Sequence, residues 1–269
     1  MVDKDIMASA LINTSLKDDI FRITLDHYER RNALSLAMLE EINKALDAAR
    51  DNGARAIIIG ATGNIFCPGH DLKEMTAARS NEDRGRAFFE KTMSLCSKVM
   101  QNIVNHPLPV IAEVNGVATA AGCQLVASCD LAVASVHSQF ATPGVNIGLF
   151  CSTPMVALSR NVTNKQAMEM LLTGESISAQ KASEIGLINY SVAENELENT
   201  TRKLTDAITS KSAMTLKIGK QAYYKQAEMP LAQAYEYCAG VMVENMLKRD
   251  AEEGINAFIE KRTPEWQDE

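Results

Sequence analysis

The first part of the chain alternates between a strand pattern and a helix pattern. Apolar and polar residues alternate over residues 20–25, as in a half-buried strand, and leucine and isoleucine then recur at helical spacing over 36–46. Ser35 is suited to cap the start of this helix, and Gly53 is suited to end it. The segment over residues 55–60, which is apolar from Ala56 onward, predicts a buried strand.

The same order of strand and helix continues to about residue 194. The pattern predicts helices over 85–105, 121–128, 157–172 and 178–186, and strands over 109–114, 131–134 and 187–192. Strands that alternate with helices favour a sheet in which most strands are parallel and the connections are right-handed. We therefore predict an α/β core over residues 1–194.

Beyond residue 195 the strand pattern stops and helical spacing remains. Four helices are predicted, over 195–210, 213–227, 230–248 and 250–262. No linker rich in glycine, serine or proline precedes them, so we expect residues 195–269 to pack on the core or on a neighbouring subunit. Met242, Met246 and Leu247 fit either a core or a subunit interface.

Composition and charge narrow the classes of protein. The chain has 269 residues, of which 46% are hydrophobic, so it can bury a sizeable core. Its net charge of −7, without a long run of lysine or arginine, argues against nucleic acid and anionic membranes as partners. Polar residues interrupt the apolar stretches before they reach a bilayer-spanning length, so we expect no membrane insertion.

Cysteine spacing and the first residues bear on metal binding and location. The 6 cysteines lie far apart, with no C-x-x-C pair and no histidine at metal-ligand spacing, so we expect reduced thiols and no metal site. Residues 1–5 carry acidic side chains where a secretory leader carries basic ones. We expect a cytoplasmic protein, and an organelle stays open if the source is a eukaryote.

Two small-residue turns carry the candidate chemistry, over residues 66–72 and 115–125. Each follows a short apolar strand and opens into a helix. The unpaired N–H groups at the head of a helix can hold a carbonyl oxygen or an anion, and two such donors on one oxygen form an oxyanion hole. The alternative is that both are ordinary strand-to-helix connections in which glycine supplies a positive φ.

These segments, taken together, resemble the crotonase (enoyl-CoA hydratase/isomerase) family. The similar segments fall in family order over 30–35, 66–75, 115–130, 140–148, 173–187 and 253–262. The resemblance implies an α/β fold, a crotonase-like spiral of β-β-α units with a C-terminal helical trimerisation region. It also implies an acyl-CoA thioester ligand, coenzyme A as part of the substrate with no tightly bound cofactor, and a homotrimer or dimer of trimers.

The resemblance also implies a set of site residues. It places the two oxyanion-hole N–H groups on His70 and Ala121. Lys73 and Lys261 would bind the nucleotide end of coenzyme A. The substrate-binding residues that it implies are Arg30, Gly69, Asp71, Leu72, Lys73, Gln124, Gly144, Cys151, Phe258 and Lys261.

The chain departs from the family at the two positions where hydratases carry glutamates. Gln124 and Gly144 stand there; an amide cannot exchange a proton near neutral pH, and glycine has no side chain. Hydration should therefore be slow. Three functions stay open: a decarboxylase or thioester hydrolase, a hydratase or isomerase that uses another carboxylate, and a thioester-binding protein without turnover.

Four further side chains have more than one interpretation. The His70 imidazole faces solvent, contacts a polar substrate group in the acyl pocket, or packs. Cys151 lines the pocket or is a nucleophile, and we expect lining because no cationic neighbour or base lies nearby in the sequence. Asp71 and Asp130 are either structural or acid–base groups, and we expect structural roles because both follow element ends.

Overall fold

The computed structural model describes residues 4–8 and 11–269. The strands are β1 (Lys4–Ala8), β2 (Ile12–Lys17), β3 (Ile20–Leu25), β4 (Ala56–Ala61), β5 (Ile65–Cys67), β6 (Val110–Val114), β7 (Val117–Thr119), β8 (Leu131–Ser135), β9 (Gln139–Ala141), β10 (Ile177–Ser178) and β11 (Tyr190–Val192). The α-helices are α1 (Leu36–Ala49), α2 (Leu72–Ala78), α3 (Arg86–Asn105), α4 (Ala121–Ser128), α5 (Pro154–Leu158), α6 (Asn164–Thr173), α7 (Ala179–Glu184), α8 (Leu197–Thr209), α9 (Ala213–Ala227), α10 (Leu231–Met246) and α11 (Arg249–Glu260). Short 3-10 turns cover Tyr28–Arg30, Pro143–Ile147 and Glu194–Glu196.

Two sheets organise the core. The larger sheet has the order β1-β2-β3-β4-β6-β8-β11, and the smaller has the order β10-β9-β7-β5. Strands β3, β4, β6, β8 and β11 run parallel, whereas β1 and β2 extend the sheet in antiparallel fashion. After each of β4, β6 and β8, the next strand joins the smaller sheet, so the chain winds as a spiral of β-β-α units. The predicted α/β spiral is confirmed.

The first predicted helix begins at its predicted cap. The Ser35 hydroxyl accepts a hydrogen bond from the Met38 N–H at 3.1 Å, and leucine and isoleucine side chains of α1 are buried against the sheet. The helix ends at Ala49, earlier than predicted. Gly53 instead lies in the turn beyond it, with a φ of +75°.

The helix predicted over 157–172 is wrong as one element, because α5 and α6 are separate. Pro154 starts α5 at its first position, where a missing N–H costs nothing. Beyond that helix, the Asn161 side chain donates to the Ala127 and Ala157 carbonyls, each at 2.8 Å, and so ties the connecting segment to the core. Likewise the strand predicted over 187–192 is shorter, because pairing with β8 begins at Tyr190.

Of the C-terminal helices, α8 packs on the larger sheet and α9 on α3, whereas α10 packs on α9 and α11. Lys220 of α9 is buried, and its Nζ donates to the Ile103 and Leu108 carbonyls at 3.0 and 2.9 Å and to Asp130 at 2.6 Å. The Tyr224 hydroxyl donates to the other oxygen of Asp130 at 2.9 Å. Asp130 therefore has the structural role that was expected of it.

The outer faces of α10 and α11 are apolar and open. Met242, Met246 and Leu247 are all exposed, so within one chain they are not core residues. Phe258 and Ile259 on α11 are 85% and 70% exposed. Within the described part of the chain, no helix combines the length and the apolarity needed to cross a bilayer.

Candidate active site

The two small-residue turns lie side by side at the carboxyl ends of strands β5 and β7 of the smaller sheet. Strands β5 and β7 are parallel neighbours, so the turns that follow them leave the sheet side by side. A Cβ added to Gly69 would lie 2.9 Å from the Ala120 Cβ and 3.2 Å from the Ala121 nitrogen. One added to Gly122 would lie 2.0 Å from the Cys67 carbonyl oxygen. Glycine at both positions allows this close approach.

Backbone hydrogen bonds fix both turns while leaving two donors open. The Leu34 N–H donates to the Gly69 carbonyl at 2.8 Å, and the Ala120 N–H donates to the Ala141 carbonyl at 2.9 Å. Among the described residues, neither the His70 N–H nor the Ala121 N–H has a hydrogen-bond acceptor. Two fixed donors without acceptors can hold one oxygen atom that gains negative charge.

His70 and Ala121 both line a cavity of about 980 Å³. Six of the predicted substrate-binding residues also line it: Arg30, Asp71, Leu72, Lys73, Gly144 and Cys151. Gly69 lies in the contact between the two turns, and Gln124 is buried on α4 and does not line the cavity. Phe258 and Lys261 lie at the end of α11 and do not line the cavity of a single chain. The structure therefore brings the predicted residues together except for those on α11.

The carboxylates of the described cavity wall are Glu29 and Asp71, and Asp71 is engaged. One Asp71 oxygen accepts from the Lys73 and Glu74 N–H groups at 2.9 and 3.3 Å, which caps α2. Its other oxygen pairs with the Arg30 guanidinium at 3.0 Å. Asp71 thus caps α2 and pairs with Arg30. Both of its oxygens are therefore occupied by donors of the protein.

The space beside Gly144 is filled by its own loop. The Gly144 N–H donates to the Cys151 Sγ at 3.3 Å, and its carbonyl accepts from the Leu149 N–H at 2.9 Å. A Cβ on Gly144 would lie 2.8 Å from the Leu149 carbonyl oxygen and 2.9 Å from that Sγ. Position 144 therefore has no side chain, and its surroundings leave no room for one.

The His70 side chain is withdrawn from solvent. Burial lowers the pKa of its imidazole, and a long contact of 3.4 Å joins Nδ1 to the Leu34 carbonyl oxygen. A carbonyl only accepts, so this contact places the proton of the neutral ring on Nδ1. Nε2 is buried without a partner. The position of both ring nitrogens argues against the solvent-facing interpretation, and the remaining two stay open.

The Cys151 thiol lacks the surroundings of a nucleophile. Burial raises its pKa, and the Gly144 N–H offsets this effect only in part. Burial likewise raises the pKa of Cys123, on the neighbouring α4, to about 12. Since the thiolate is the reactive form, the structure agrees with Cys151 as a wall residue.

Several wall residues were not predicted from the sequence. Arg31 lines the cavity from the turn before α1, and Met93 does so from α3. Ile147 and Phe150 project from the loop that closes on Gly144, and they are 60% and 42% exposed. The available signal was an apolar segment, residues 147–150, with neither strand nor helix spacing.

Comparison with known proteins agrees with this fold and cavity. Residues 15–269 match the enoyl-CoA hydratase/isomerase family. The chain belongs to this family. The resemblance stated from the sequence is confirmed, and the two-sheet spiral is the crotonase fold.

Particular relatives place it further within the family. Human enoyl-CoA hydratase domain-containing protein 3, mitochondrial, is 51% identical over 253 residues, which span 94% of this chain and 82% of the human one. A crystal structure of the human protein matches with a TM-score of 0.90 at 50% identity, covering 95% of this chain and 99% of that chain. A probable enoyl-CoA hydratase of Bacillus subtilis is 31% identical over 257 residues, 94% of this chain and 97% of its own.

Proposed function

We propose that this protein binds acyl-CoA thioesters and polarises the thioester carbonyl with the His70 and Ala121 N–H groups. The observation that carries the proposal is the pair of acceptor-free donors on two touching turns in the cavity wall. Such donors favour an enolate over the neutral thioester, and the loss of one costs about 10²–10³ in rate. The family membership supports a thioester as the ligand.

Coenzyme A would enter at the basic end of the cavity. Arg30, Arg31 and Lys73 line this region and can attract the phosphates of the nucleotide. Coenzyme A is then part of the substrate and not a resident cofactor.

Hydration of a double bond would be slow in this cavity. The reaction needs groups that move protons to and from water, and Gln124 cannot exchange one near neutral pH. Leu149 and Cys151 occupy the place of a side chain on Gly144. Asp71 is held by the α2 N–H groups and by Arg30. These contacts argue against a hydratase that relies on Asp71; Glu29, the other carboxylate of the described wall, lies at its exposed rim.

Decarboxylation is the second candidate. Loss of CO₂ leaves the electron pair of the broken C–C bond on the α-carbon, so the enolate forms without a general base. The retained donors at His70 and Ala121, in a wall whose Asp71 is engaged and whose Glu29 is exposed to solvent, favour this class over proton abstraction.

The exposed apolar faces of α10 and α11 support assembly as a homotrimer or a dimer of trimers. In such an assembly, Phe258 and Lys261 would reach the cavity of a neighbouring subunit, because they do not line their own. The name of the human relative supports an organellar location, the alternative to the cytoplasm that the sequence left open.

A three-substrate assay tests the proposed function. The protein is incubated with crotonyl-CoA, a 2-carboxyacyl-CoA and a saturated acyl-CoA, and hydration, CO₂ release and free CoA are scored separately. Binding by calorimetry with CO₂ release and slow hydration is expected. Binding without any product would favour the non-catalytic alternative, free CoA would favour the thioester hydrolase, and an absence of binding would overturn the proposal.

The donor assignment has its own variant. Ala121 is the first residue of α4, where an N–H has no partner within the helix, so Ala121→Pro removes one N–H without breaking an intrahelical hydrogen bond. Ala120 before it has a φ of +50°, which a following proline strains, so the fold of the variant is checked by circular dichroism. The matched control is Asn164→Pro, at the same position of α6 and exposed. We expect the rate to fall by about 10²–10³ in Ala121→Pro alone. A folded Ala121→Pro protein with unchanged turnover would show that this N–H does not hold the thioester oxygen.

A further inference from the structure

The last residues of the chain return to the core and close over α11. The Asp268 carboxylate pairs with Arg55, at the start of β4, at 3.0 Å, and its other oxygen accepts from the Ala213 N–H at 2.6 Å. The Trp266 Nε1–H donates to the Ser210 carbonyl at 2.8 Å. The segment 263–269, named here the tail, thus bridges the central sheet and the turn between α8 and α9.

The tail also forms hydrogen bonds and packing contacts with α11. Asp250, in the first turn of α11, is buried, and its carboxylate accepts from the Gln267 and Asp268 N–H groups at 2.8 and 2.9 Å. The Asp250 N–H donates back to the Glu269 carbonyl at 3.2 Å. The Trp266 ring packs against Gly254, and a Cβ added to this glycine would lie 3.1 Å from the ring. These contacts make the tail the connector between α11 and the core.

Arg55 is the core residue on which the tail closes. Its guanidinium also donates to the Thr209 and Lys211 carbonyls, the latter at 2.5 Å. These hydrogen bonds fix the position of the guanidinium independently of Asp268. The side chains of Arg55 and Asp268 are 21% and 37% exposed, and an ion pair whose geometry is fixed by further hydrogen bonds contributes more than a mobile surface pair does.

We propose that the tail is a clasp that the ion pair between Arg55 and Asp268 holds closed. The closed clasp fixes the position of α11, so that Phe258 and Lys261 face outward and can contact the cavity of a neighbouring subunit. Arg55 and Asp268 are positioning residues, since neither lines the main cavity. The clasp itself rests on the contacts above, whereas its effect on ligand binding rests on the proposed function.

The sole tryptophan of the chain, Trp266, reports the clasp directly. In Asp268→Ala we expect its emission to shift to longer wavelength and acrylamide to quench it more strongly, because the tail leaves the α8–α9 turn. Asp268→Asn keeps an oxygen for the Ala213 N–H and loses the charge pair, so an intermediate shift is expected. The matched control is Glu269→Ala, which removes an exposed ion pair to Arg249 at 3.7 Å; its emission should equal that of the wild type.

Ligand binding provides the functional readout. In Asp268→Ala we expect the Kd for acyl-CoA to rise about fivefold. The Kd for the matching N-acetylcysteamine thioester, which lacks the nucleotide, should stay unchanged. Equal fluorescence in Asp268→Ala and wild type would overturn the clasp. A fluorescence shift with no change in either Kd, or with an equal rise in both, would overturn its role in positioning α11. If the wild type binds neither thioester, the proposed function fails, and the fluorescence still decides the clasp.

Discussion

Substitution of Gly144 tests whether its loop excludes a side chain. In Gly144→Ala the new Cβ would lie 2.8 Å from the Leu149 carbonyl oxygen and 2.9 Å from the Cys151 Sγ. Ordinary contact between such atoms begins near 3.5 Å, so both neighbours must move by about 0.6 Å. The Leu149 N–H is bonded to the Gly144 carbonyl, so that movement strains a hydrogen bond as well.

Overpacking of this kind costs about 1–3 kcal/mol. In a chain of this size, each kcal/mol lowers Tm by about 2–4 °C, so Gly144→Ala should melt about 2–12 °C below the wild type. Scanning calorimetry measures the shift. The matched control is Gly219→Ala on α9, where a Cβ meets nothing within 4 Å and the helix gains up to about 1 kcal/mol.

A double-mutant cycle assigns the cost to its source. Cys151→Ala removes the Sγ and leaves the Leu149 carbonyl in place, so it should recover part of the loss in Gly144→Ala and not all of it. A Gly144→Ala protein as stable as the wild type, or a cycle with no coupling, would refute the packing argument. By the same reasoning, adding Gly144→Glu to Gln124→Glu should restore little hydration.

Three further predictions concern the core. Lys220→Met leaves the Asp130 carboxylate in the interior without its ion-pair partner, so the free energy of unfolding measured in urea should fall by about 3–5 kcal/mol. A loss below about 1 kcal/mol would contradict a stabilising buried ion pair. Gly122→Ala should prevent the approach of α4 to the Cys67 carbonyl and abolish acyl-CoA binding, and normal affinity by calorimetry would contradict it. Burial lowers the His106 pKa to about 4, so protons bind the unfolded chain preferentially and stability should fall as pH drops from 6.5 to 4; His106→Gln should flatten this dependence in acid-unfolding curves.

Elements with strong local signals were predictable from the sequence. The helical spacing before Gly53 and the cap at Ser35 gave α1, and the apolar run at 55–60 gave β4. Strands β5, β7 and β9 were not predicted, because each has only 3 residues and depends on partners distant in sequence. The break between α5 and α6 was missed for a similar reason, since it depends on the contact of Asn161 with the Ala127 carbonyl.

The candidate site was predictable in its residues and not in its surroundings. Position 144 showed a missing carboxylate, but the Leu149 carbonyl and the Cys151 thiol that fill the space come from a loop without periodic pattern. The burial of the His70 imidazole depends on Leu34, which lies on a separate segment of the chain. The pairing of Arg55 with Asp268 joins residues 213 positions apart, and no local pattern encodes it.

The steady-state rate of crotonyl-CoA hydration tests the central claim most directly. The claim is that the cavity holds a thioester through His70 and Ala121 and lacks the groups that activate water. General acid–base groups contribute about 10²–10⁴ each, so the wild-type rate should lie at least that far below a two-glutamate hydratase assayed beside it. Calorimetry in the same buffer should still show acyl-CoA binding. A hydration rate close to that of the two-glutamate enzyme would contradict the account.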